Sequence, residues 1–597
     1  MPSFFARFFG SSTVRLRQSA RVGVGLCAAV AGLAGSAPAR AQQLAFPGVE
    51  GAGRFVSGGR GRAATPTTVF EVTSLADTNT PGTLRYAVSQ SATAAPHRTI
   101  VFRVCGTIRL STRLSIPANT TIAGQTAPGD GICLADRQVS VSGNNVIIRY
   151  VRFRLGDRYP QITGIGMVNG NGDEDALSGT ERKNIVIDHC TMSWSMDEAF
   201  TFYGAATDSM TLQWNLISEP LNYSYHFETG DVDYERHGYG GIWGGRRASF
   251  HHNLFAHCLG RTPRWNGTRY GAAIGSENCD FRNNVIYNWG SNNVYGGEGG
   301  NYNVVNNYYK YGPSTSSSAR FRLLNPYRQT TAPVLPYAQV YLAGNYIDGS
   351  AANTQRNWLG VTMQGGGLAD TVQSKVNAPF NVAPLNTQSA TAAYAAVLAN
   401  VGCVLPVRDA VDQRIIQEVQ NRTGSIIDVQ GGFPARTPYS VSQAAWPVLT
   451  CGPAPADSDH DGMTDAYELA NGLNPNNAAD RQTTAANGYT YLENYLNGLV
   501  TVVTGARPTG AVGPAPLRLF PNPAAAQLTV EHPRAGVGAR LAVYNYVGQR
   551  VASFTPPAGG AATPVNLGTL AQGHYFLVYT DANVSLTARC AREERGD

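Results

Sequence analysis

Short runs of β-branched and aromatic residues recur along the chain from about residue 69 to about residue 348. Glycine, asparagine and aspartate separate the runs, and this alternation of apolar runs with turn-forming residues is typical of strands. The strand is therefore the predicted repeating unit of this region. The clearest runs lie at residues 99–102, 121–123, 145–149, 184–188, 210–214, 248–252, 280–283, 302–305 and 340–343.

Several runs end with asparagine followed by two apolar residues, and the spacing of roughly twenty to forty residues is typical of a solenoid. This pattern predicts an all-β, right-handed parallel β-helix, in which an inward asparagine bonds to its counterpart in the next coil. A sandwich fits the spacing less well, and asparagines marking unrelated turns are the other alternative. The repeated positions are Asn215, Asn253, Asn284, Asn307 and Asn345, with Cys190 one repeat earlier.

One short helix is predicted within the first strands, at residues 81–88. Thr83 can cap it, and Leu84 and Val88 fall on one face. We expect this helix to close the open end of the solenoid, because an exposed end invites edge pairing.

A calcium-loop pattern follows the solenoid. Oxygen-bearing side chains stand at loop positions one, three, five, nine and twelve, with glycine at position six, as in an EF-hand loop. The sequence predicts a structural calcium site, and a solvated acidic turn is the alternative. The predicted ligands are Asp457, Asp459, Asp461, Asp465 and Glu468.

These patterns divide the chain into five parts. Arginines, an apolar run at residues 22–34 and an Ala-Arg-Ala triplet predict a signal peptide, 1–41, whose apolar run is short for a membrane anchor. We expect no transmembrane segment after its removal. The other parts are the β-helix domain, 42–440; an EF-hand-like calcium-loop module, 453–503; a linker, 504–516; and an alternating segment, 517–597, typical of a β-sandwich.

Composition narrows the function. Hydrophobic residues make up 43% of the 597 residues, enough for large cores, and the net charge of +6 gives no reason to expect nucleic acid as a partner. One of the nine cysteines, Cys27, lies in the predicted signal peptide. The others would meet an oxidising compartment, where disulfides or free buried thiols are both open.

Acidic and basic clusters suggest chemistry on an anionic sugar polymer. Asp173-Glu174-Asp175 and Asp197-Glu198 lie near predicted strands, and two arginines, Arg261 and Arg264, follow in a later turn. Carboxylates that hold a cation beside guanidinium groups suit attack on a polymer that carries carboxylates.

Four motifs together resemble pectate lyases of polysaccharide lyase family 1 over roughly residues 45–429. They lie at residues 81–85, 124–131, 187–189 and 261–264, where the chain reads PGTLR, GQTAPGDG, IDH and RTPR. The resemblance implies a parallel β-helix that cleaves polygalacturonate, or pectin, by calcium-dependent β-elimination. A monomer is expected.

The resemblance also implies the catalytic calcium ligands. Asp173, Asp175 and Asp197 match acidic ligands of the family, and strand alternation would send Asp173 and Asp175 to the same side. Where many relatives carry a further acid, this chain has Thr201, and Glu198 is the candidate replacement.

The same resemblance gives roles to the basic residues. Arg261 matches the catalytic base and Arg264 the arginine that holds the substrate carboxylate; carboxylate binding by both is the alternative. Nearby cations would favour the neutral guanidine that a base requires, which predicts an alkaline pH optimum. The family's substrate-binding lysine has no clear match, and Arg236 and His237 occupy that region. The neighbouring pairs Asp188-His189 and His251-His252 are predicted to be structural.

The C-terminal segment resembles sorting domains of type IX secretion, through residues 520–523 and 573–577. It implies outer-membrane secretion machinery as a partner and a secreted or cell-surface protein. The last residues, 589–597, depart from the usual apolar and basic finish.

Three other functions remain open at this point. A pectin lyase would act on methylated pectin without calcium, and a non-catalytic β-helix would bind polysaccharide or act as an adhesin. A hydrolase is the third, although the sequence contains no carboxylate pair with a clear acid and base assignment.

Overall fold

The computed structural model describes residues 42–62, 64–500, 517–545, 550–581 and 584–593. The predicted signal peptide, 1–41, and linker, 504–516, lie outside the described residues. The chain forms two compact units, Met1–Val502 and Val503–Asp597. The first unit holds both the β-helix and the calcium-loop segment, so the boundaries at 440 and 453 stay predictions.

The first unit is a parallel β-helix built from three sheets, here called sheets A, B and C. Neighbouring strands within a sheet come from successive coils, because each coil supplies one strand to each sheet in turn. Sheet A has ten strands: Thr68–Val72, Arg98–Phe102, Thr120–Ala123, Val146–Arg149, Lys183–Asp188, Asp208–Gln213, Ala248–His251, Asn278–Arg282, Asn301–Val305 and Gln339–Ala343.

Sheets B and C contain shorter strands. Sheet B has nine: Gly106–Arg109, Ile132–Ala135, Arg152–Arg154, Thr191–Ser193, Leu216–Ser218, Leu254–Ala256, Val285–Tyr287, Tyr308–Lys310 and Tyr346–Ile347. Sheet C has eight: Leu114–Ile116, Val139–Val141, Leu177–Thr180, Phe200–Tyr203, Ile242–Trp243, Arg264–Trp265, Val294–Gly296 and Leu324–Pro326. The predicted parallel β-helix is confirmed.

Rows of apolar side chains run along the interior, because parallel register places equivalent residues of successive coils about 4.8 Å apart. Each buried Leu, Ile or Phe stabilises the fold by roughly 1.5–3 kcal/mol. One row in sheet A consists of Ile187, Leu212, Phe250, Phe281, Val304 and Leu342.

The predicted asparagine ladder is present. The side-chain amide of Asn215 donates to Asn253 Oδ1 at 3.0 Å, and Asn253 donates to Asn284 at 3.0 Å. The ladder continues through Asn307 and Asn345, and each Oδ1 also accepts a backbone N–H from the coil before. Cys190 heads it, with its N–H donating to Asn215 Oδ1. These amides therefore satisfy the backbone groups of each bend.

Helices lie at the ends and on the outside of the coils. Thr83 caps the first helix, and Leu84 and Val88 are buried in the main core, as predicted. The α-helices are Leu84–Ser89, Arg158–Thr163, Ala351–Gln355, Ala390–Asn400, Ala410–Asn421, Tyr439–Ser442, Asp465–Ala470 and Tyr491–Gly498. The 3-10 helices are Gly124–Thr126, Asn357–Gly360, Leu368–Gln373, Gln430–Gly432, Gln443–Ala445 and Asp480–Gln482. No helix of the described residues has the length and apolar character needed to cross a membrane.

One disulfide joins Cys105 to Cys451 and connects an early coil to the segment after the solenoid. The sequence left this pairing open. The remaining cysteines of the described residues are free and buried: Cys133, Cys190, Cys258, Cys279, Cys403 and Cys590.

The second unit contains two antiparallel sheets with an apolar core that includes Leu528, Leu541 and Leu577. This confirms the predicted C-terminal β-sandwich. One sheet has strands Arg518–Phe520, Gln527–Glu531 and Ala562–Asn566, and the other has Arg540–Tyr544, Arg550–Phe554, Gly573–Asp581 and Val584–Arg592.

Candidate functional site

The predicted site residues gather along sheet C because they precede its strands by two or three residues. Asp175 comes before Leu177–Thr180, Asp197 and Glu198 before Phe200–Tyr203, and Arg261 before Arg264–Trp265. Parallel register stacks these turns on successive coils, and the N–H of Glu198 donates to Asp175 Oδ1 at 3.0 Å. Residues far apart in the chain thus lie side by side in the turns at this edge of sheet C, here called the groove.

Three carboxylates converge in these turns. One oxygen each of Asp175, Asp197 and Glu198 lies within 4.8 Å of the others. Burial first, and then the charge of Asp197, raise the pKa of Asp175 well above its usual range. A divalent cation would offset both effects, and a set of hard oxygens suits calcium, so these residues fit the metal that the family implies.

Asp173 lies outside this group. Residues 173–175 form no strand, so the alternation argument was wrong: Asp173 is half-exposed and pairs with Arg113 at 2.5 Å, whereas Asp175 is buried. Glu174 turns inward to Arg113 and Arg137 at 2.9 and 2.5 Å. Its role is to pin this turn, and the ligand role of Asp173 stays a prediction.

His237 contacts the carboxylate group directly. Its Nε2 lies 2.8 Å from Asp197 Oδ1 and its Nδ1 lies 3.0 Å from Glu235 Oε2. Burial lowers the pKa of His237, but hydrogen bonds to Asp197 and Glu235 outweigh burial and raise that pKa to about 9. Arg236, by contrast, is exposed and lies over the Tyr223 ring at 5.0 Å.

His226 stacks on His237 with the ring centres 3.8 Å apart and was missed by the sequence analysis. With Asp197 and His237 it forms a second possible ligand group. Nothing in its local sequence marks it, because it lies in a long segment without helix or strand, residues 219–241.

Arg261 and Arg264 both face acidic partners. Arg261 pairs with Glu198 and lies over the Tyr239 ring at 4.3 Å. Arg264 pairs with Glu298 at 2.8 Å. The Tyr295 and Tyr327 rings lie 5.3 and 5.4 Å from its guanidinium. The sequence analysis missed Glu298, although its place among glycines, residues 296–300, was a possible signal of a tight turn.

The histidines expected to be structural lie on sheet A. His189 Nδ1 is 2.7 Å from Asp188, which also bonds Arg149 at 2.7 Å. The Nδ1 atoms of His251 and His252 are 3.0 Å apart, and both rings are buried. The Arg149–Asp188 contact joins neighbouring strands of sheet A, and none of these side chains belongs to the turns that precede the strands of sheet C.

In the calcium-loop segment, the acids that lie close together are not all those predicted as ligands. Asp457, Asp459 and Asp461 form one close group, and Asp461 and Glu468 form another with Asp480, which the sequence analysis missed. Asp465 does not join either group, because its carboxylate accepts from Ser458 N–H and Oγ at 2.7 and 2.8 Å. Eleven residues separate Glu468 from Asp480, which places Asp480 beyond the twelve-residue loop pattern.

Curated proteins similar to this chain share the name probable pectate lyase C. A probable pectate lyase C of Emericella nidulans is 32% identical over 464 residues, covering 76% of this chain and 93% of the relative. One of Aspergillus terreus is 32% identical over 489 residues, covering 80% and 96%. The crystal structure of jun a 1, the major allergen of cedar pollen, aligns at 16% identity with a TM-score of 0.40, covering 59% of this chain and 92% of that one.

At the other end, the profile of the secretion system C-terminal sorting domain matches residues 518–591, which confirms the predicted sorting segment. The protein is therefore secreted or displayed at the cell surface. The relatives identify an enzyme, so the interpretation as a non-catalytic binding protein was wrong. From these matches we conclude that the chain belongs to the pectate lyase family of polysaccharide lyases.

Proposed function

We propose that this pectate lyase cleaves polygalacturonate, the de-esterified form of pectin, by calcium-assisted β-elimination and releases 4,5-unsaturated oligogalacturonides. The convergence of Asp175, Asp197 and Glu198 beside Arg261 is the observation that carries the proposal. This chemistry does not require an apolar binding pocket, because both the site residues and the polymer carry charges.

Asp175, Asp197 and Glu198 would hold the cation, with Asp173 as a further predicted ligand. When bound, calcium would neutralise the uronate carboxylate and stabilise the negative charge that develops next to it. Family membership supports calcium as the cofactor. The three carboxylates independently fit an ion that binds through oxygen atoms.

Arg261 is the proposed base. It takes the proton from carbon-5 of a galacturonate, the electron pair of the broken bond forms the double bond between carbons 4 and 5, and the glycosidic oxygen on carbon-4 leaves. That oxygen then takes a proton from solvent. In the structure the guanidinium of Arg261 is engaged by Glu198, so it can reach the proton on carbon-5 only once this contact is broken.

Arg264 is proposed to hold the substrate carboxylate. Glu298 fixes one side of its guanidinium and the rings of Tyr295 and Tyr327 flank it. A planar guanidinium binds a carboxylate through two parallel N–H groups, which orients the sugar as well as attracting it. His237, whose Nε2 lies 2.8 Å from Asp197 Oδ1, is the proposed counterpart of the family's substrate-binding lysine.

A pectin lyase acting on methylated substrate is the second candidate. Its substrate carries no charge at the esterified carboxyl, so it has no need of the carboxylate group that is retained here. The acids at residues 175, 197 and 198 therefore favour the calcium-dependent enzyme.

The test uses the purified full-length protein on polygalacturonate and on fully methylated pectin, each with calcium or with a chelator. We expect ultraviolet absorbance of unsaturated uronides to grow only with polygalacturonate and calcium, and faster at alkaline pH. An increase in this absorbance with methylated pectin that persists in the presence of the chelator would instead identify a pectin lyase. Absence of unsaturated product from both substrates would overturn the proposed activity.

A further inference from the structure

The acidic groups of the calcium-loop segment meet at one point. Asp457, Asp459 and Asp461 place carboxylate oxygens within 4.8 Å of one another, and Asp461 does the same with Glu468 and Asp480. Asp461 belongs to both groups, so the five residues surround a single region. Two separated stretches of chain therefore supply its oxygens.

Many of these oxygens are buried without a hydrogen-bond partner. They include both oxygens of Asp459, Oδ2 of Asp461, both of Glu468 and Oδ1 of Asp480. Asp461 and Glu468 are 0% exposed. An unpaired buried charge is costly, and several facing one another add repulsion, so the cluster needs a positive partner. Among the described residues Arg103 reaches only the edge of the cluster, 3.9 Å from Asp457 Oδ2, and no ion pair joins an arginine or lysine to the unpartnered oxygens of Asp459, Asp461, Glu468 and Asp480.

The loop backbone is shaped around this region. Asp457 accepts the N–H groups of Asp461 and Gly462 at 3.3 and 3.1 Å, and Asp461 accepts that of Met463 at 2.8 Å. Gly462 has φ +92°, which L side chains rarely adopt, and a Cβ there would lie 3.0 Å from Val69. The sharp turn thus lies directly against the first strand of sheet A.

The same segment packs on the β-helix. Met463, Leu492 and Leu496 form an apolar cluster with Val101 and Ala123 of sheet A. Polar contacts surround this cluster: Glu493 pairs with Arg60 at 2.6 Å, His460 with Glu71 at 2.6 Å, and Gln482 accepts the N–H of Thr67 at 3.1 Å. The segment that carries the acids is therefore anchored to sheet A through Met463 and through Leu492 and Leu496 of the helix Tyr491–Gly498.

We propose that Asp457, Asp459, Asp461, Glu468 and Asp480 bind a calcium ion that clamps residues 457–498 onto the outer face of sheet A. A set made only of carboxylate oxygens selects a hard cation, and the flexible count of ligands suits calcium better than magnesium. The ion offsets the repulsion that would otherwise open the loop. This clamp is separate from the groove of sheet C and does not depend on the proposed function.

Local hydrogen exchange of the full-length protein tests the clamp, with calcium or with a chelator. At free calcium about 100 times the dissociation constant, the open population falls about 100-fold, so exchange of amides at residues 463–496 should slow by about that factor. Equal exchange in both conditions would overturn the proposal.

Two variants and a matched control separate this site from the catalytic one. Asp480→Asn and Glu468→Gln should each remove the calcium dependence of exchange at residues 463–496. Asp465→Asn changes an acid of the same segment that lies outside the cluster, and should keep it. Asp480→Asn leaves the turn of residues 457–463 intact, so it remains informative if Glu468→Gln fails to fold. Loss of the calcium effect in Asp465→Asn, or its retention in Asp480→Asn, would contradict the ligand set.

Discussion

At the scale of single residues, Arg261 is placed by its backbone. Its φ is +53°, a left-handed conformation that costs a non-glycine residue roughly 1–2 kcal/mol. The neighbouring coils hold it there, since Gly240 and Gly241 pair with this turn through backbone hydrogen bonds. Such strain is common where a side chain must be aimed, and here it directs the guanidinium to the acids of the coils before.

Replacing the base should separate turnover from binding. Arg261→Lys and Arg261→Ala are expected to lower kcat by about 10²–10⁴-fold with a much smaller change in KM, because proton transfer is lost while Arg264 still holds the carboxylate. Steady-state kinetics on polygalacturonate measures both constants. Arg247→Ala, which removes a surface ion pair with Asp208, is the control and should keep wild-type kcat. Arg261→Lys with unchanged kcat would exclude the guanidine as the base.

Two acids of one tripeptide should differ in their calcium dependence. Asp175→Asn removes a charge from the buried group and should raise the calcium concentration that gives half of the maximal activity by tenfold or more, about 1.4 kcal/mol of binding free energy. Asp173→Asn removes a half-exposed charge that pairs with Arg113 and should have a smaller effect. Calcium titrations of activity compare the two. An equal shift would return Asp173 to the ligand set.

Some site residues were accessible to sequence and others were not. Asp175, Asp197, Glu198 and Arg261 lie in short motifs next to strands, so the motif places them on the groove. His226 reaches the site from a long loop whose path no local pattern determines. Residue type alone did not reveal the orientation of Asp173, because alternation holds only within a strand.

At the scale of elements, the asparagine ladder is a stabilising device of the β-helix. Asn284→Ala should lower the free energy of unfolding by roughly 3 kcal/mol or more, because two donors of Asn253 and the carbonyl of Phe250 lose a buried partner, each at about 1–3 kcal/mol. Thermal or denaturant unfolding measures the loss. Asn301→Ala is the control, since its amide bonds an exposed carbonyl of Gly275 and should cost less than about 1 kcal/mol. Equal losses would remove the special role of the ladder.

The helix Ala410–Asn421 gives a pH prediction through its capping residue. Burial raises the pKa of Asp409, but ion pairs with Arg154 and Arg152 of sheet B outweigh burial and lower that pKa to about 2. A folded pKa below the unfolded value of about 3.9 contributes stability above pH 4, and this contribution is lost as the pH falls towards 2. Its full size is about 2–3 kcal/mol.

Thermal melts of wild type and Asp409→Asn between pH 2 and 6 check this sign. Asparagine still caps the helix, so the difference reports the ion pairs. The wild type should melt at a higher temperature above pH 4, and the gap should narrow towards pH 2. A gap that widens with acid would contradict the assignment.

Strand length explains which elements the sequence predicts. Sheet A strands of four to six residues contain enough apolar and turn-forming positions to be recognised, and the predicted runs all belong to that sheet. Many strands of sheets B and C have only two or three residues, such as Ile242–Trp243, which is too short to express a period of two. The spacing of the asparagines predicted the β-helix, because this spacing reflects the length of a whole coil and not that of a single strand.

At the scale of the molecule, the lyase site and the secretion sorting domain belong to different compact units. The β-helix stacks turns in register, so acids and arginines separated by dozens of residues become neighbours on sheet C. The C-terminal unit matches a sorting domain. Long stretches of chain can therefore vary while the groove keeps its geometry.

The central claim is that the acids at residues 175, 197 and 198, with Arg261, make a uronate proton removable. The most direct measurement is mass spectrometry of the products from one defined oligogalacturonide, with calcium and with a chelator. The account predicts product masses that sum to the mass of the substrate, one new unsaturated end per cut, and no cutting by the chelated enzyme. Products that together gain one water per cut, or cutting that continues unchanged without calcium, would contradict it.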